Sequence, residues 1–171
     1  LFLGRFTEGK GVLAAIEVAQ RTGLPLVLAA AENDYYRDVV AALVDGRHVV
    51  YAGEVARADL AALLGGARAL VYPPQAAEPF GLVLVEAMAC GTPVAALDRG
   101  AVSEIVEPGT TGRVFDSIDA LVAGLPTVLA LDRARVRARA VERFSADRMV
   151  EGYVDAYAKL AAAKRRAHPH A

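Results

Sequence analysis

The sequence predicts an α/β domain with a doubly wound, mostly parallel, six-stranded sheet and a helical C-terminal tail. Short apolar runs alternate with segments of helical periodicity, which is typical of a parallel sheet covered by helices. The apolar runs contain few polar residues, as expected for strands that are buried on both faces. From residue 132 to residue 171 the pattern is only helical. A chain of 171 residues is about one domain long, so we expect a single domain over 1–171.

Strands are predicted wherever apolar residues follow one another without interruption. These segments are 1–3, 25–30, 49–52, 69–72, 93–97 and a short strand around 114–115. Helices are predicted between them, where apolar residues recur three and four positions apart. These segments are 12–22, 35–44, a helix around 60–64, 79–90 and 103–106. Glycines that would end helices follow at Gly23, Gly46 and Gly91.

The tail contains the strongest helical stripe of the sequence, with Ser145 as its predicted N-cap. The apolar members of this stripe are Met149, Val150, Tyr153, Val154, Tyr157, Leu160 and Ala161. In a doubly wound sheet, ligands bind beyond the carboxyl ends of the strands. We therefore expect the loops that follow the strands to share one face of the domain. These loops are 4–11, 31–34, 53–56, 73–81 and 98–103.

Composition and charge exclude several function classes. The net charge is −1, from 19 basic and 20 acidic side chains, which argues against a general nucleic-acid binder. Cys90 is the single cysteine, so neither an internal disulfide nor a cysteine zinc site is expected. No apolar run approaches the length of a membrane span, and a cytoplasmic location is the default expectation. The chain opens on Leu1-Phe2-Leu3, which resembles a strand already under way, so we expect further sequence upstream.

The loop after the first predicted strand, Gly4-Arg5-Phe6-Thr7-Glu8-Gly9-Lys10-Gly11, is placed where a backbone can bind phosphate. It fits G-x-x-x-x-G-K, but a P-loop needs Ser or Thr at the next position to hold magnesium, and Gly11 stands there. Gly9, Gly11 and Ala14 also fit a dinucleotide-binding pattern, with Glu32 as its acidic residue. The alternative is that Arg5 and Lys10 are solvated loop charges.

A second motif, Glu78-Pro79-Phe80-Gly81-Leu82-Val83-Leu84-Val85-Glu86, places one carboxylate just before a predicted helix and another about two turns inside it. The backbone amides near Gly81 and the positive end of the helix would face an anion. Glu86 has apolar neighbours on all sides in the sequence, so we expect it to be buried and in need of partners. The hydroxyl pair of a ribose would satisfy it, and so would an internal arginine or backbone amides.

Most of the chain resembles the retaining glycosyltransferases of family 4, whose GT-B fold has two facing Rossmann-like domains. The resemblance lies in LGRFTEGKGVLAAIEVA, YAGEV, YPPQAAEPFGLVLVEAMACGTPVAAL and EIVEPGTTGRVF. It implies a donor-binding C-terminal domain that transfers a hexose from UDP-sugar or GDP-sugar to an acceptor hydroxyl, with no metal and no other cofactor. The acceptor site would belong to an N-terminal domain upstream.

The resemblance also assigns roles to residues. Arg5 and Lys10 would hold the diphosphate, Glu78 would contact hydroxyls of the donor sugar, and Glu86 would bind the ribose. Arg5, Lys10 and Glu78 are therefore the expected catalytic residues.

The other expected donor contacts come from two backbone segments. Phe80, Gly81 and Leu82 would lie against the sugar and phosphates, and the loop at Gly53, Glu54 and Val55 would lie near the base. The sequence departs from the family at Pro73-Pro74 and at Gly100-Ala101, which leaves the donor sugar open. Two alternatives stay open beside this reading, a non-catalytic nucleotide-sugar module and an NAD-binding domain.

Overall fold

The computed structural model describes residues 1–167, and these residues form six strands and seven α-helices, the last three of which follow the last strand. The strands are β1 (Phe2–Leu3), β2 (Leu26–Ala29), β3 (Val49–Gly53), β4 (Leu70–Tyr72), β5 (Val94–Leu97) and β6 (Gly112–Phe115). The helices are α1 (Val12–Thr22), α2 (Arg57–Gly66), α3 (Leu82–Ala89), α4 (Val102–Ile105), α5 (Ile118–Leu129), α6 (Arg133–Phe144) and α7 (Ala146–Ala167). The predicted α/β class is correct.

The strands form two three-stranded parallel sheets and not the predicted single sheet of six. One sheet has the order β1-β2-β3 and the other β4-β5-β6. The edges of β1 and β4 are adjacent, because the Val71 amide donates to the Leu1 carbonyl over 2.9 Å. However, β1 has only two residues and pairs along them with β2. The prediction of a continuous six-stranded sheet was therefore wrong, because β1 is too short to form a ladder on both of its edges.

Two hydrophobic cores cover the faces of these sheets. One contains Phe2, Phe6 and the apolar faces of α1 and α5. The other contains Tyr72 and the buried faces of α2, α3, α4 and α6. Covering both faces explains why β4 and β5 are apolar at every position and wholly buried.

Two helix predictions need correction. The segment 35–44 is not α-helical, because residues Tyr36–Val40 form a π-helix and Ala41–Leu43 a 3₁₀ turn. Aromatic stacking holds this segment, since Tyr36 lies 5.2 Å from Phe6 and 4.2 Å from Tyr51 between ring centroids. The helix predicted over 79–90 begins only at Leu82, after Gly81 in a left-handed conformation (φ +86°).

The predicted tail contains α6 and α7, and its last four residues, 168–171, lie outside the described residues. Two arginines of α6 hold this helix against the ends of other helices. Arg133 donates to the carbonyls of Gly65 and Ala67, and Arg137 donates to the Ala89 carbonyl, each over 2.6 Å. Cations at the C-terminal ends of α2 and α3 complement the dipoles of those helices.

The last helix, α7, leaves its apolar stripe in solvent. Met149, Val150, Tyr153, Val154, Tyr157 and Leu160 are all exposed. No helix within residues 1–167 has the length and apolarity needed to cross a membrane.

Candidate functional site

The loops after the strands meet at the carboxyl edge of the two sheets, as expected. A cleft of about 380 Å³ opens there, beside the point where β1 and β4 adjoin. Its lining comes from the loops after β1, β2 and β3 and from one side of α2 and α3. The residues are Leu3, Gly4, Arg5, Ala29, Ala30, Ala31, Glu54, Val55, Leu60, Val83 and Glu86. A cleft at the switch point of parallel strands is the usual ligand site of such folds.

The glycine-rich loop after β1 is fastened to the segment that follows β4. The Gly9 carbonyl accepts hydrogen bonds from the amides of Gln75 (2.9 Å) and Ala76 (3.3 Å). Gly11 adopts a left-handed conformation (φ +76°), and a Cβ atom there would collide with the Pro73 carbonyl. The loop and the segment 73–78 thus form one unit that holds Lys10 and Glu78 together.

This geometry bears on the two alternative motifs in the loop. A P-loop needs a hydroxyl residue at position 11, but the Pro73 carbonyl leaves no space for a side chain there. In a dinucleotide fingerprint the first glycine forms the tight turn after the strand, whereas Gly9 lies in the 3₁₀ turn Glu8–Lys10 and points its carbonyl at the neighbouring loop. Glu32 is exposed and pairs with Arg37 at 3.1 Å. Neither alternative motif has its expected structural context.

Lys10, Glu78 and Tyr72 form a hydrogen-bonded cluster. Lys10 Nζ lies 2.6 Å from Glu78 Oε2 and 3.0 Å from the Tyr72 hydroxyl, which donates to the same Oε2. Glu78 is 7% exposed and Tyr72 is 1% exposed. The cluster therefore contains a buried carboxylate whose partners are a cation and a phenol.

The cluster shifts the pKa of each member. Burial alone would raise the pKa of Glu78, but the hydrogen bonds from Lys10 and Tyr72 outweigh it and leave this pKa below its ordinary value. Burial opposes the charge of Lys10, yet its bonds to Glu78 and Tyr72 raise its pKa. Burial and the neighbouring Glu78 raise the pKa of Tyr72 to about 12. At neutral pH the cluster contains an ammonium, a carboxylate and a neutral phenol.

The backbone of Glu78 is fixed by the loop after β5. Its amide donates to the Arg99 carbonyl (3.3 Å) and its carbonyl accepts from the Ala101 amide (2.8 Å). Gly100 lies between these partners with φ +64°, and a Cβ atom there would come within 2.6 Å of the Glu78 nitrogen. Gly100 thus permits the close approach that orients Glu78.

The segment at Phe80, Gly81 and Leu82 forms the start of α3. Gly81 is the N-cap residue, and the first amides of a helix lack intrahelical acceptors, so they can donate to an anion. The side chains on either side of Gly81 are exposed, Phe80 by 43% and Leu82 by 69%. Phe80 packs edge-on against Phe144, with 6.4 Å between the ring centroids.

Glu86 lies in the cleft and is exposed, so the expectation that it is buried was wrong. Helix α3 buries Leu84, Ala87 and Met88 and turns Glu86 outward. The apolar run misled the prediction because the short helix is apolar on most of its faces. Arg5 is also exposed and lines the same cleft.

The loop after β3 supplies the remaining predicted residues. Gly53 ends β3 with φ +78°, and its carbonyl accepts from the Ala30 amide at 3.1 Å. Glu54 and Val55 follow and line the cleft, whereas Gly53 does not.

The structure thus divides the predicted residues into two groups. Arg5, Val55 and Glu86 line the cleft, and Lys10 and Glu78 form the cluster, with the loop after β1 common to both. Sequence reasoning missed Tyr72, whose position at the end of a strand resembled a core residue. It also missed the structural need for Gly100. Within the described residues, no three acidic, His or Cys side chains are grouped as metal ligands would be.

Comparison with known families decides the class of the protein. The family model for "Glycosyl transferases group 1" matches residues 1–161. The chain belongs to the group 1 glycosyltransferases.

Curated proteins similar to this chain carry the names of different enzymes. It is 32% identical over 187 residues to the alpha-maltose-1-phosphate synthase of Mycobacterium tuberculosis, covering 95% of this chain and 48% of the relative. It is 34% identical over 154 residues to the phosphatidyl-myo-inositol mannosyltransferase of Mycolicibacterium smegmatis, covering 84% of this chain and 39% of the relative. The chain therefore spans about half the length, or less, of these curated relatives.

Solved structures confirm a Rossmann-like GT-B fold for this glycosyltransferase. AviGT4, a glycosyltransferase involved in avilamycin A biosynthesis, superposes with a TM-score of 0.77 at 30% identity, over 95% of this chain and 52% of AviGT4. HepE of Anabaena, solved in complex with UDP and glucose, superposes with a TM-score of 0.74 at 22% identity, over 92% of this chain and 47% of HepE. At that identity the second likeness concerns the fold alone.

Proposed function

We propose that this chain is the donor-binding domain of a retaining family 4 glycosyltransferase, which moves a hexose from UDP-sugar or GDP-sugar to an acceptor hydroxyl. The observation that carries the proposal is the ion pair of Lys10 with Glu78, since Lys10 belongs to the same loop as Arg5, which lines the cleft. This ion pair joins the basic glycine-rich loop to the segment that precedes α3. Basic groups suited to phosphate and a carboxylate suited to sugar hydroxyls therefore lie together at the carboxyl edge of the sheets. We infer from the motif resemblance that the reaction retains the anomeric configuration and that the transferred sugar is a hexose.

The chemistry asked of the domain is mainly electrostatic. Negative charge grows on the leaving diphosphate as the glycosidic bond breaks. In this proposal Arg5, Lys10 and the first amides of α3 offset this charge. These groups carry the charge without a metal.

The two glutamates have separate binding roles in this proposal. Glu78 belongs to the buried cluster and accepts from donor-sugar hydroxyls, whereas Glu86 faces the cleft and accepts from the ribose. A glycoside hydrolase instead places two carboxyl groups on either side of one bond. Glu78 is already bound to Lys10 and Tyr72, so it is suited to hold a ligand and not to exchange protons.

The whole protein would carry the acceptor site outside this chain. The share of the relatives that the chain covers, 48% and 39%, supports this part of the proposal. An N-terminal domain of the same protein would then face the carboxyl edge of the sheets. A cytoplasmic location, absence of nucleic-acid binding and absence of any other cofactor also stay predictions.

Thermal unfolding with added nucleotides tests the proposal. Only ligands that bind the folded state raise the melting temperature. We expect UDP or GDP and their sugars to raise it without divalent metal, and ADP and NAD to raise it less or not at all. Stabilisation by NAD alone would favour the dinucleotide-binding alternative. Nucleotide-sugar binding with no transfer by any longer form of the protein would favour the non-catalytic module.

Replacement of the basic loop residues should weaken binding of the diphosphate selectively. We expect Arg5→Ala and Lys10→Ala each to lower the affinity for UDP or GDP by about tenfold or more, because charge-assisted hydrogen bonds contribute about 1.5–3 kcal/mol. The affinity for the bare nucleoside should stay within about twofold. Isothermal calorimetry measures both.

Arg68→Ala is the matched control for Arg5→Ala. Arg68 is also exposed, but it precedes β4 and so lies at the opposite edge of the sheets. It should leave both affinities unchanged. Equal losses for nucleoside and diphosphate in the loop variants would show that the loop does not hold the phosphates.

The ribose role predicts different effects at two exposed glutamates. We expect Glu86→Ala to weaken nucleoside diphosphate binding about tenfold, because it removes hydrogen bonds from vicinal hydroxyls to a carboxylate. Glu104→Ala, on α4 and outside the cleft lining, should have no such effect. Calorimetry that finds the same affinity for both variants would contradict the ribose assignment.

A further inference from the structure

Tyr72 stands between the two charged residues of the cluster, and the sequence resemblance assigns it no role. It is the last residue of β4, and its side chain is almost wholly buried. Its hydroxyl accepts from Lys10 Nζ at 3.0 Å and donates to Glu78 Oε2. One phenol oxygen therefore contacts Lys10 and Glu78, two of the residues that the proposed function assigns to the donor.

The cluster has only one cation for its buried carboxylate. Lys10 neutralises Glu78 over 2.6 Å, yet the proposed function also requires Lys10 to bind the diphosphate. When the ammonium turns toward phosphate, Glu78 would lose its partner. A buried charge that loses its hydrogen-bond partners is strongly unfavourable.

Tyr72 can remain with Glu78 while Lys10 moves. The lysine side chain is long and 35% exposed, so it can change its conformation. The tyrosine ring is packed into the hydrophobic core formed with α2, α3, α4 and α6, so it is held in place. The phenol keeps its proton, since its pKa is about 12. Both Lys10 and Tyr72 use Oε2, and a carboxylate offers about four acceptor positions. Acceptor capacity is left for a hydroxyl of the sugar.

We propose that Tyr72 is a positioning residue, whose hydroxyl holds the Glu78 carboxylate in place for the donor sugar after Lys10 has turned to the diphosphate. This proposal rests on the proposed function and adds a residue to it. In this role Tyr72 contributes to the higher affinity of the site for a nucleoside diphosphate sugar than for the nucleoside diphosphate alone.

Tyr72→Phe tests the role, since it removes one oxygen and keeps the ring. We expect the ratio of affinities, nucleotide sugar over free nucleoside diphosphate, to fall about fivefold or more. The probes are the pairs UDP-glucose with UDP and GDP-mannose with GDP, measured by calorimetry on this chain. Tyr36→Phe is the control, because it also removes a phenol oxygen but lies in the aromatic stack with Phe6 and Tyr51. Its ratio should not change.

A double-mutant cycle with Glu78→Gln separates positioning from general damage. If Tyr72 acts through Glu78, the ratio in Tyr72→Phe/Glu78→Gln should equal that in Glu78→Gln. Effects that multiply would overturn the proposal. Thermal unfolding of each variant establishes that it folds.

A measurement without any ligand separates this inference from the proposed function. Loss of a donor to a carboxylate raises its pKa, so carbon-13 NMR should find the Glu78 pKa higher in Tyr72→Phe than in the wild type. An unchanged Glu78 pKa, or an unchanged affinity ratio, would overturn the role of Tyr72 and leave the proposed function standing. If the pKa rises but no nucleotide binds the wild type, the proposed function fails and the positioning role fails with it.

Discussion

Gly11→Ala should destabilise the domain severely. A left-handed conformation costs a residue with a Cβ atom about 1–2 kcal/mol, and the new atom would also collide with the Pro73 carbonyl. Two backbone segments must then separate, and with them the hydrogen bonds that Gly9 accepts. We expect the free energy of unfolding to fall by more than about 3 kcal/mol, in the range of severe core changes.

Gly23→Ala is the control for this prediction. Gly23 also follows a helix in a left-handed conformation (φ +67°), but nothing lies within 4 Å of the place of its Cβ atom. It should cost only the conformational part, about 1–2 kcal/mol. Urea unfolding followed by circular dichroism measures both variants. Equal losses would show that the loop after β1 is not held against Pro73.

The periodicity of the sequence predicted most of the fold, because the apolar pattern within each strand or helix matches the way that element is buried. Segments such as 25–30 and 93–97 are apolar throughout, and burial on both faces explains this. The continuous six-stranded sheet could not be predicted correctly in the same way. Whether β1 pairs on one edge or on two depends on its length in three dimensions, and its apolar residues suit either case.

The site was predicted in part for a similar reason. Glycine-rich loops and paired glutamates have recognisable spacing, so Lys10, Glu78 and Glu86 could be named as candidates from the sequence. The exposure of Glu86 was not predictable, because it depends on which face α3 turns inward. Tyr72 could not be found at all, since a tyrosine at the end of an apolar strand has no pattern that separates a ligand of a carboxylate from a core residue.

Transfer of sugar should require sequence beyond these 171 residues. Every role that we propose for a motif of this chain concerns nucleotide, phosphate or donor sugar, and the cleft lies at the carboxyl edge of the sheets. Holding both reactants in place and excluding water supplies much of the rate of a two-substrate reaction. We expect the isolated chain to bind the donor but to transfer it at least about a thousandfold more slowly than the full-length protein.

The assay incubates the isolated chain, and separately the full-length protein, with several nucleotide sugars and hydroxyl acceptors. Mass spectrometry reads the released nucleotide and the glycosylated product. Donor binding by the isolated chain is measured in parallel by calorimetry, so that loss of transfer is not mistaken for loss of folding. Acceptor-dependent turnover by the isolated chain at a rate near that of the full-length protein would place the acceptor site within residues 1–171, because only a chain that holds both substrates could reach that rate.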